Sequence, residues 1–597
     1  MRLNLVRLAL LSAGLSIAGC HSTPDAASHA TPAPVLARPD VHATYIKDHA
    51  VGYDWFAHAS DAYSGVPLVL LRSLPDLAPD IWGKPEEQFS RFGYLANPGG
   101  PLPLGLSWDS MDSGVTAQPL HPVALTCGAC HIGRVTLDDG TSMALVGGPN
   151  TEFDVRMWRK AFERTVHEHL GTPADLAAAA ARLGTTIAEK PANYFYRNAR
   201  GVTAEVEAGE RTYVTANAAA ILTGFAGKIL LGEQATNKQK ATSYSKPNAP
   251  PLDGGSPGQS DGSGDLLPRL LLLDTVASLG PAKTMAGFMG MSFKALPEQL
   301  ATFTDILSTW RQGTQHIAQV DGSVKSPFFR NIAASVAVAG DPKMVNVRNA
   351  AVTAEFISQL PPPLYPFAID AAAAERGQAI FTQNCAACHR ERNDNVYPTD
   401  LIGTDPNRSR VLNADGLALF LRHFAASVPA EFDLIDAKGV KYKPHDIAPA
   451  DMLFDRSRPE NQGYVTNALD GLWARSPYLH NGSVPTVYHV LVPSSRPEKF
   501  VRGAVSYDKK NVGFDWDPAR LTAYRAAYPT AATFDTAWDG ASRFGHDTNL
   551  TIDQTGHIIK KGWDGTARQG ELQVRLDWSG TEHQAALAAL LDYLKTL

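Results

Sequence analysis

Residues 371–389 read Ala371-Ala372-Ala373-Ala374-Glu375-Arg376-Gly377-Gln378-Ala379-Ile380-Phe381-Thr382-Gln383-Asn384-Cys385-Ala386-Ala387-Cys388-His389. The opening eleven residues are rich in strong helix formers and predict a helix that runs straight into a Cys-x-x-Cys-His pattern. The pattern recurs upstream as Cys127-Gly128-Ala129-Cys130-His131. Two thiols at this spacing on a tight helical turn can add across the two vinyl groups of one porphyrin. The histidine that follows then lies under the ring, where its imidazole can bind iron. A single zinc site would need four ligands closing one tetrahedron, whereas these pairs lie far apart and each carries its own histidine. A thioredoxin-like redox pair has no use for that histidine. The expected cofactors are therefore two covalently attached haem c groups, held by Cys127, Cys130, His131 and by Cys385, Cys388, His389.

Cysteine usage across the chain agrees. There are 5 cysteines, and the one outside the two motifs is Cys20. An odd count in which four fall in identical pairs does not look like a disulfide framework. The other composition figures are ordinary: 597 residues, 44% hydrophobic, 19% charged, Lys+Arg 54 against Asp+Glu 60, and a mean hydropathy of -0.16. The length suggests three or four domains at about 150 residues each. With a net charge of -6 and no Lys/Arg run, nucleic acid is excluded as an expected partner.

The N-terminus carries Arg2 and Arg7, a short apolar stretch over 8–17, and then Ile17-Ala18-Gly19-Cys20. The stretch is too short to span a bilayer and has the form of a signal-peptide core. Its end resembles a bacterial lipobox, with Cys20 as the lipidated first residue of the mature chain. The expectation is a cell-envelope protein on the periplasmic side, anchored by acyl chains and touching the membrane only through that anchor. His21 stands where inner-membrane lipoproteins commonly carry aspartate, which favours the outer membrane.

From these signals the chain divides into a signal peptide (1–19), a Pro/Ala-rich tether (20–40), an N-terminal haem domain (41–245), a loop-rich connecting region (246–365) and a C-terminal cytochrome c domain (366–597). Residues 245–265 are mostly turn formers, and Pro361-Pro362-Pro363 marks entry to the last unit. Residues 173–190 predict an alanine-rich helix with Thr172 as N-cap and Pro173 at its first position. Residues 581–597 place Leu587, Leu590, Leu591 and Leu594 at helical spacing. The fold class is mainly α, with two cytochrome c-like haem domains, extensive irregular loops and few short strands.

Several further stretches carry a family resemblance. They are Arg91-Phe92-Gly93-Tyr94, Gly147-Gly148-Pro149, Leu401-Ile402-Gly403-Thr404-Asp405-Pro406, and Gly471-Leu472-Trp473-Ala474-Arg475-Ser476-Pro477-Tyr478-Leu479-His480-Asn481-Gly482-Ser483-Val484-Pro485-Thr486. With the two haem motifs they resemble the dihaem cytochrome c peroxidase superfamily, and within it the branch of the dihaem rubber oxygenases. The resemblance covers most of residues 60–597. It implies that the haem at Cys127–His131 is the reactive one and that the haem at Cys385–His389 is six-coordinate and transfers electrons. It also implies that 371–389 opens, and 581–597 closes, a cytochrome c domain.

Peroxidases of this superfamily place a methionine ligand after the Pro-Tyr-His-Gly-Ser stretch. Here the last methionine is Met452, ahead of that stretch, so the second ligand of the C-terminal haem is expected to be histidine. The candidates are His480, His489, His546, His557 and His583. Relatives carry a Gly-His before the closing helix, which favours His546 in Phe544-Gly545-His546. His480 is expected near the haem interface without ligating, as a candidate catalytic neighbour. For the far side of the first haem, Met143, Met157, His167 and His169 follow His131 in sequence, and 219–225 and 285–293 are apolar enough to line a pocket; for all of these a place in core or surface is the simpler reading.

Two functions fit. One is a haem oxidoreductase in which the first haem activates peroxide or dioxygen, with a small c-type cytochrome or an apolar alkene as co-substrate. The other is a plain electron-transfer cytochrome with both haems six-coordinate. The axial positions decide between them.

Overall fold

The computed structural model describes residues 40–260, 301–410 and 463–597, with breaks at 63–64, 98, 108–119, 197–201, 244–247, 252–253, 315–316, 325–326, 340–343, 390–394 and 467, together with the short strands Leu434–Ile435 and Lys441–Tyr442. The signal peptide, Cys20, nearly all of the tether, residues 285–293 and Met452 lie outside the described residues.

The architecture is mostly helical. Among the described residues strands are short and pair in antiparallel twos, except for one three-stranded sheet of Leu550–Asp553 between Ile558–Lys561 and Glu571–Val574. Local chemistry explains the helix ends. The helix Pro173–Glu189 starts on a capping box, in which the Thr172 side chain takes the Asp175 N–H and Asp175 reaches back to the Thr172 N–H, satisfying two otherwise orphaned donors. Asp154 caps Val155–His169 and also accepts the N–H of Gly255 at 2.7 Å, so one carboxylate fixes both a helix start and a loop.

The helix ahead of the second haem motif is Ala371–Asn384, capped by Asp370. It crosses the closing helix Gln584–Leu594, which follows a 3-10 turn at Thr581–His583. The crossing is close because Gly377 has no side chain: a Cβ there would stand 2.0 Å from the Ala589 carbonyl oxygen. Phe381 and Tyr593 meet beside it, with ring centroids 5.2 Å apart.

Among the described residues two large apolar cores stand out. In one, Leu68–Leu77, Trp82, Phe92, Tyr94, Ala129, Phe153, Trp158 and Phe162 pack with Leu183 and Leu222. The other joins Phe56 and Ile132 to Trp310, Phe356, Leu360, Phe381, Trp473, Tyr478 and Leu590. Each fully buried large side chain contributes on the order of 1.5–3 kcal/mol. This second core spans residues from before the first haem motif to the closing helix, so both motifs are set against one shared interior.

Candidate haem sites

The first motif forms the five-residue helix Cys127–His131. Thr126 caps it, accepting the Gly128 N–H at 3.2 Å while its own hydroxyl donates to the Ala57 carbonyl at 3.0 Å. All four motif cysteines are free of disulfides. Cys127 Sγ donates to Asp61 Oδ1 at 3.4 Å, and Asn349 Nδ2 donates to the same oxygen at 2.8 Å. Burial pushes the Asp61 carboxyl up to about 7, against the pull of those two hydrogen bonds. Burial likewise raises Cys130 to about 12. The hydroxyl of Tyr94 is buried without a hydrogen-bond partner, and burial first, then the nearby Cys130, raises its pKa.

His131 Nδ1 lies 2.9 Å from the Leu307 carbonyl oxygen. A carbonyl can only accept, so Nδ1 carries the proton and Nε2 keeps its lone pair. Burial, then the charge of Arg330, lowers the imidazole to about 4. A neutral ring with one nitrogen tied to a backbone carbonyl is how a metal-binding histidine is oriented.

At the second motif, Cys385 ends the incoming helix and Ala386–His389 forms one further turn. Burial raises the Cys388 thiol and a hydrogen bond with Tyr397 pulls it back. His389 faces His546, with ring centroids 6.3 Å apart and planes at 52°. Metal–imidazole bonds of about 2.0–2.1 Å on either side of one ion, plus the depth of each ring, put axial centroids about 6.4 Å apart. His546 Nδ1 is buried without a hydrogen-bond partner. Burial first, then His389 and Arg496, lowers His546 to about 3, so the ring is neutral. Both sites fit a haem c.

The loop that carries His546 is held from two sides. The His546 N–H donates to the Ile402 carbonyl at 2.9 Å, which gives Leu401-Ile402-Gly403-Thr404 a structural task. The buried Arg496 donates to the carbonyls of His489 at 2.9 Å, Arg543 at 2.7 Å, Gly545 at 2.9 Å and Val490 at 3.0 Å. His546 itself adopts φ 54°, a left-handed conformation that side-chain residues enter only when surroundings impose it.

The other candidates stand elsewhere. His480 stacks on Tyr464 at 4.1 Å with its Nε2 buried and unpartnered; burial and Arg408 lower it to about 3 against the pull of Asp321. His489 is a core residue, hydrogen-bonded to Thr486 Oγ1 at 2.7 Å and edge-on to Trp516. His557 is exposed beside Asp553, and His583 contacts Glu582. His167 pairs with Glu233 and His169 with Asp80. Met143 packs against the shared core and Met157 against the N-terminal one. Within 219–225, Leu222 and Phe225 are buried core residues. Sequence reading passed over Asp61, Asn349, Leu307, Arg496 and Tyr397. Leu307 acts through its backbone carbonyl, Asp61 and Asn349 lie far in sequence from Cys127, and nothing in the local sequence marks Tyr397 or Arg496.

Comparison with known proteins adds three family matches: a Y4iN-like domain over residues 51–131, a cytochrome c domain over 374–417, and a RoxA-like, cytochrome c-like domain over 463–501. Relatives come from Sinorhizobium fredii (strain NBRC 101917 / NGR234). Uncharacterized protein y4iM is 41% identical over 414 residues, covering 66% of this chain and 95% of that protein. Uncharacterized protein y4iN is 42% identical over 100 residues, 14% of this chain and 48% of that protein. Uncharacterized protein y4iJ is 22% identical over 572 residues, 84% of each. The chain is a c-type cytochrome with a RoxA-like domain, and it belongs to the family of the Sinorhizobium fredii protein y4iM.

Proposed function

We propose that this chain is an exported dihaem oxidoreductase with a reactive haem at Cys127, Cys130 and His131 and an electron-transfer haem at Cys385, Cys388 and His389, the latter closed by His546. The observation that carries the reading is the His389–His546 pair at 6.3 Å. Among the described residues no second imidazole faces His131 in this way, and on our reading the first site is the working one and the second the relay. A haem c with one free axial position binds and activates peroxide or dioxygen.

The residues around that position have separable tasks. Cys127 and Cys130 would hold the group by thioethers. His131 presents Nε2 while Leu307 keeps the proton on Nδ1. Asp61 is buried beside Cys127, and Asn349 Nδ2 holds its carboxyl in place. The co-substrate is a reduced small cytochrome if peroxide is the oxidant, or an apolar alkene if dioxygen is.

Optical and EPR spectra of the purified holoprotein test the reading. One low-spin bis-histidine haem and one haem that binds cyanide or carbon monoxide are expected. Two low-spin haems that bind nothing in any redox state would leave a plain electron-transfer cytochrome. Peroxide turnover with a reduced cytochrome, set against oxygen uptake with polyisoprene, then separates the two activities. The proposal also places the protein in the bacterial envelope, anchored at Cys20; Cys20→Ser should release a soluble form, and unchanged membrane retention would refute the anchor.

A further inference from the structure

The groups of the turn His480-Asn481-Gly482-Ser483 lead toward both haem motifs. It is a tight reversal closed by Tyr478 N–H to the Val484 carbonyl at 2.7 Å and by the return bond at 3.3 Å, with Leu479 and Gly482 at positive φ. Asn481 and Ser483 have no exposed surface.

One side leads to the first site. The His480 carbonyl accepts the Asp305 N–H at 2.8 Å. The Gly482 carbonyl accepts from Arg502 Nη1 at 2.7 Å, and Arg502 Nη2 donates to Asp305 Oδ1 at 2.6 Å. This ion pair is buried to within 1% and 2% of side-chain exposure. A Cβ on Gly482 would lie 2.2 Å from Arg502 Nη1 and 2.7 Å from Asp305 Oδ1, so only glycine leaves room for it. Two residues beyond Asp305 is Leu307, whose carbonyl takes the His131 ring proton. Ile306 N–H to the Gly258 carbonyl at 3.0 Å and Thr309 N–H to the Gly147 carbonyl at 2.7 Å fix that strap on either side of Leu307.

The other side leads to the second site. Asn481 Nδ2 donates to the carbonyls of Gly540 at 3.2 Å and Ser542 at 3.0 Å, and Ser483 Oγ donates to the same Ser542 carbonyl at 2.9 Å. Four residues after Ser542 comes His546, facing His389.

We propose that His480–Ser483 is a shared bracket that positions the axial imidazoles of both haems, His131 through Asp305–Leu307 and His546 through Ser542. Asp305, Arg502, Asn481 and Ser483 are then positioning residues. The proposal rests on the dihaem reading above. Its physical basis is that a second-shell hydrogen bond sets the orientation and basicity of a metal-bound imidazole, and that losing it changes metal affinity by about 10–100-fold.

The test compares the purified holoprotein with variants of each side. Asp305→Asn and the charge-conserving Arg502→Lys should slacken the strap and weaken the His131–Leu307 bond. The iron–histidine stretching band of the first haem should fall and its midpoint potential should rise, by 59 mV for each tenfold change in relative affinity, while the low-spin EPR g-values of the second haem stay unchanged. Ser483→Ala and Asn481→Ala should shift those g-values or convert part of the second haem to a high-spin form, leaving the first-haem band in place. The proposal is overturned if the two sets give the same changes, or if every variant that folds keeps wild-type values for both haems. A wild-type protein without a bis-histidine signal defeats the dihaem reading instead, and one that keeps the signal in His546→Ala assigns that ligand elsewhere and overturns the Ser542 arm of the bracket.

Discussion

Gly377 passes so close to Ala589 that a single added carbon would sit 2.0 Å from the Ala589 carbonyl oxygen. The clash is with helix backbone, which cannot swing aside as a side chain can. Gly377→Val should therefore push the helices Ala371–Asn384 and Gln584–Leu594 apart, at a cost of about 1–3 kcal/mol or more. The measure is the urea midpoint of the holoprotein followed by circular dichroism, with haem retained per chain as a second readout. An unchanged midpoint would show that the crossing has slack.

His546→Ala should leave both haems covalently attached, since the four motif cysteines are untouched. The low-spin signal of the second haem should give way to one that binds exogenous imidazole, and added imidazole should restore the original spectrum. A spectrum identical to wild type would assign the ligand elsewhere.

Arg496 ties the His546 loop, through the carbonyls of Arg543 and Gly545, to the carbonyls of His489 and Val490 from one planar fork. Burial lowers its pKa only to about 10, so it stays charged. Arg496→Lys keeps the charge and loses the fork geometry. Hydrogen bonds to a charged group are worth about 1.5–3 kcal/mol each, and losing two should lower stability by roughly 3–6 kcal/mol. The low-spin signal should broaden before unfolding becomes visible.

His489 is buried at 3% exposure, and burial lowers it to about 4 from 6.5, with Asp508 opposing and Arg496 adding to the shift. The unfolded chain binds this proton below pH 6.5 and the folded chain does not, so stability is full above 6.5 and is lost as pH falls toward 4. The loss attributable to this ring is up to about 3 kcal/mol. His489→Gln should flatten the decline in melting temperature between pH 6.5 and 4. An equally steep decline would assign the acid sensitivity to other groups, His480 among them.

Local signals were the legible ones. Thr172-Pro173 and the alanine run predict a helix that the structure places at Pro173–Glu189, capping box included. The leucines of 581–597 predict a terminal helix that is found, one 3-10 turn later, at Gln584–Leu594. Each is decided within a dozen residues by capping and periodicity. What escaped the sequence is long-range. The Arg502–Asp305 pair joins positions 197 apart, and the His131–Leu307 bond positions 176 apart. The latter ends on a backbone carbonyl, which every residue has and no composition betrays. The three-stranded sheet at 550–574 was missed because its strands are four residues each, too short for alternation to stand out. His546 could be singled out only through resemblance; its positive φ, imposed by the Ile402 bond and the Arg496 clamp, leaves no trace in Phe544-Gly545-His546.

The gap between His389 and His546 is also a matter of chain topology. An iron bonded to both would cross-link position 389 to position 546 and close a loop of 157 residues. Treated as a covalent staple of that length, such a bond removes about 5 kcal/mol of freedom from the unfolded chain. The second haem would then serve as a fastener as well as a relay. Acid, or any strong competing ligand, would unclip it and loosen the whole C-terminal third at once.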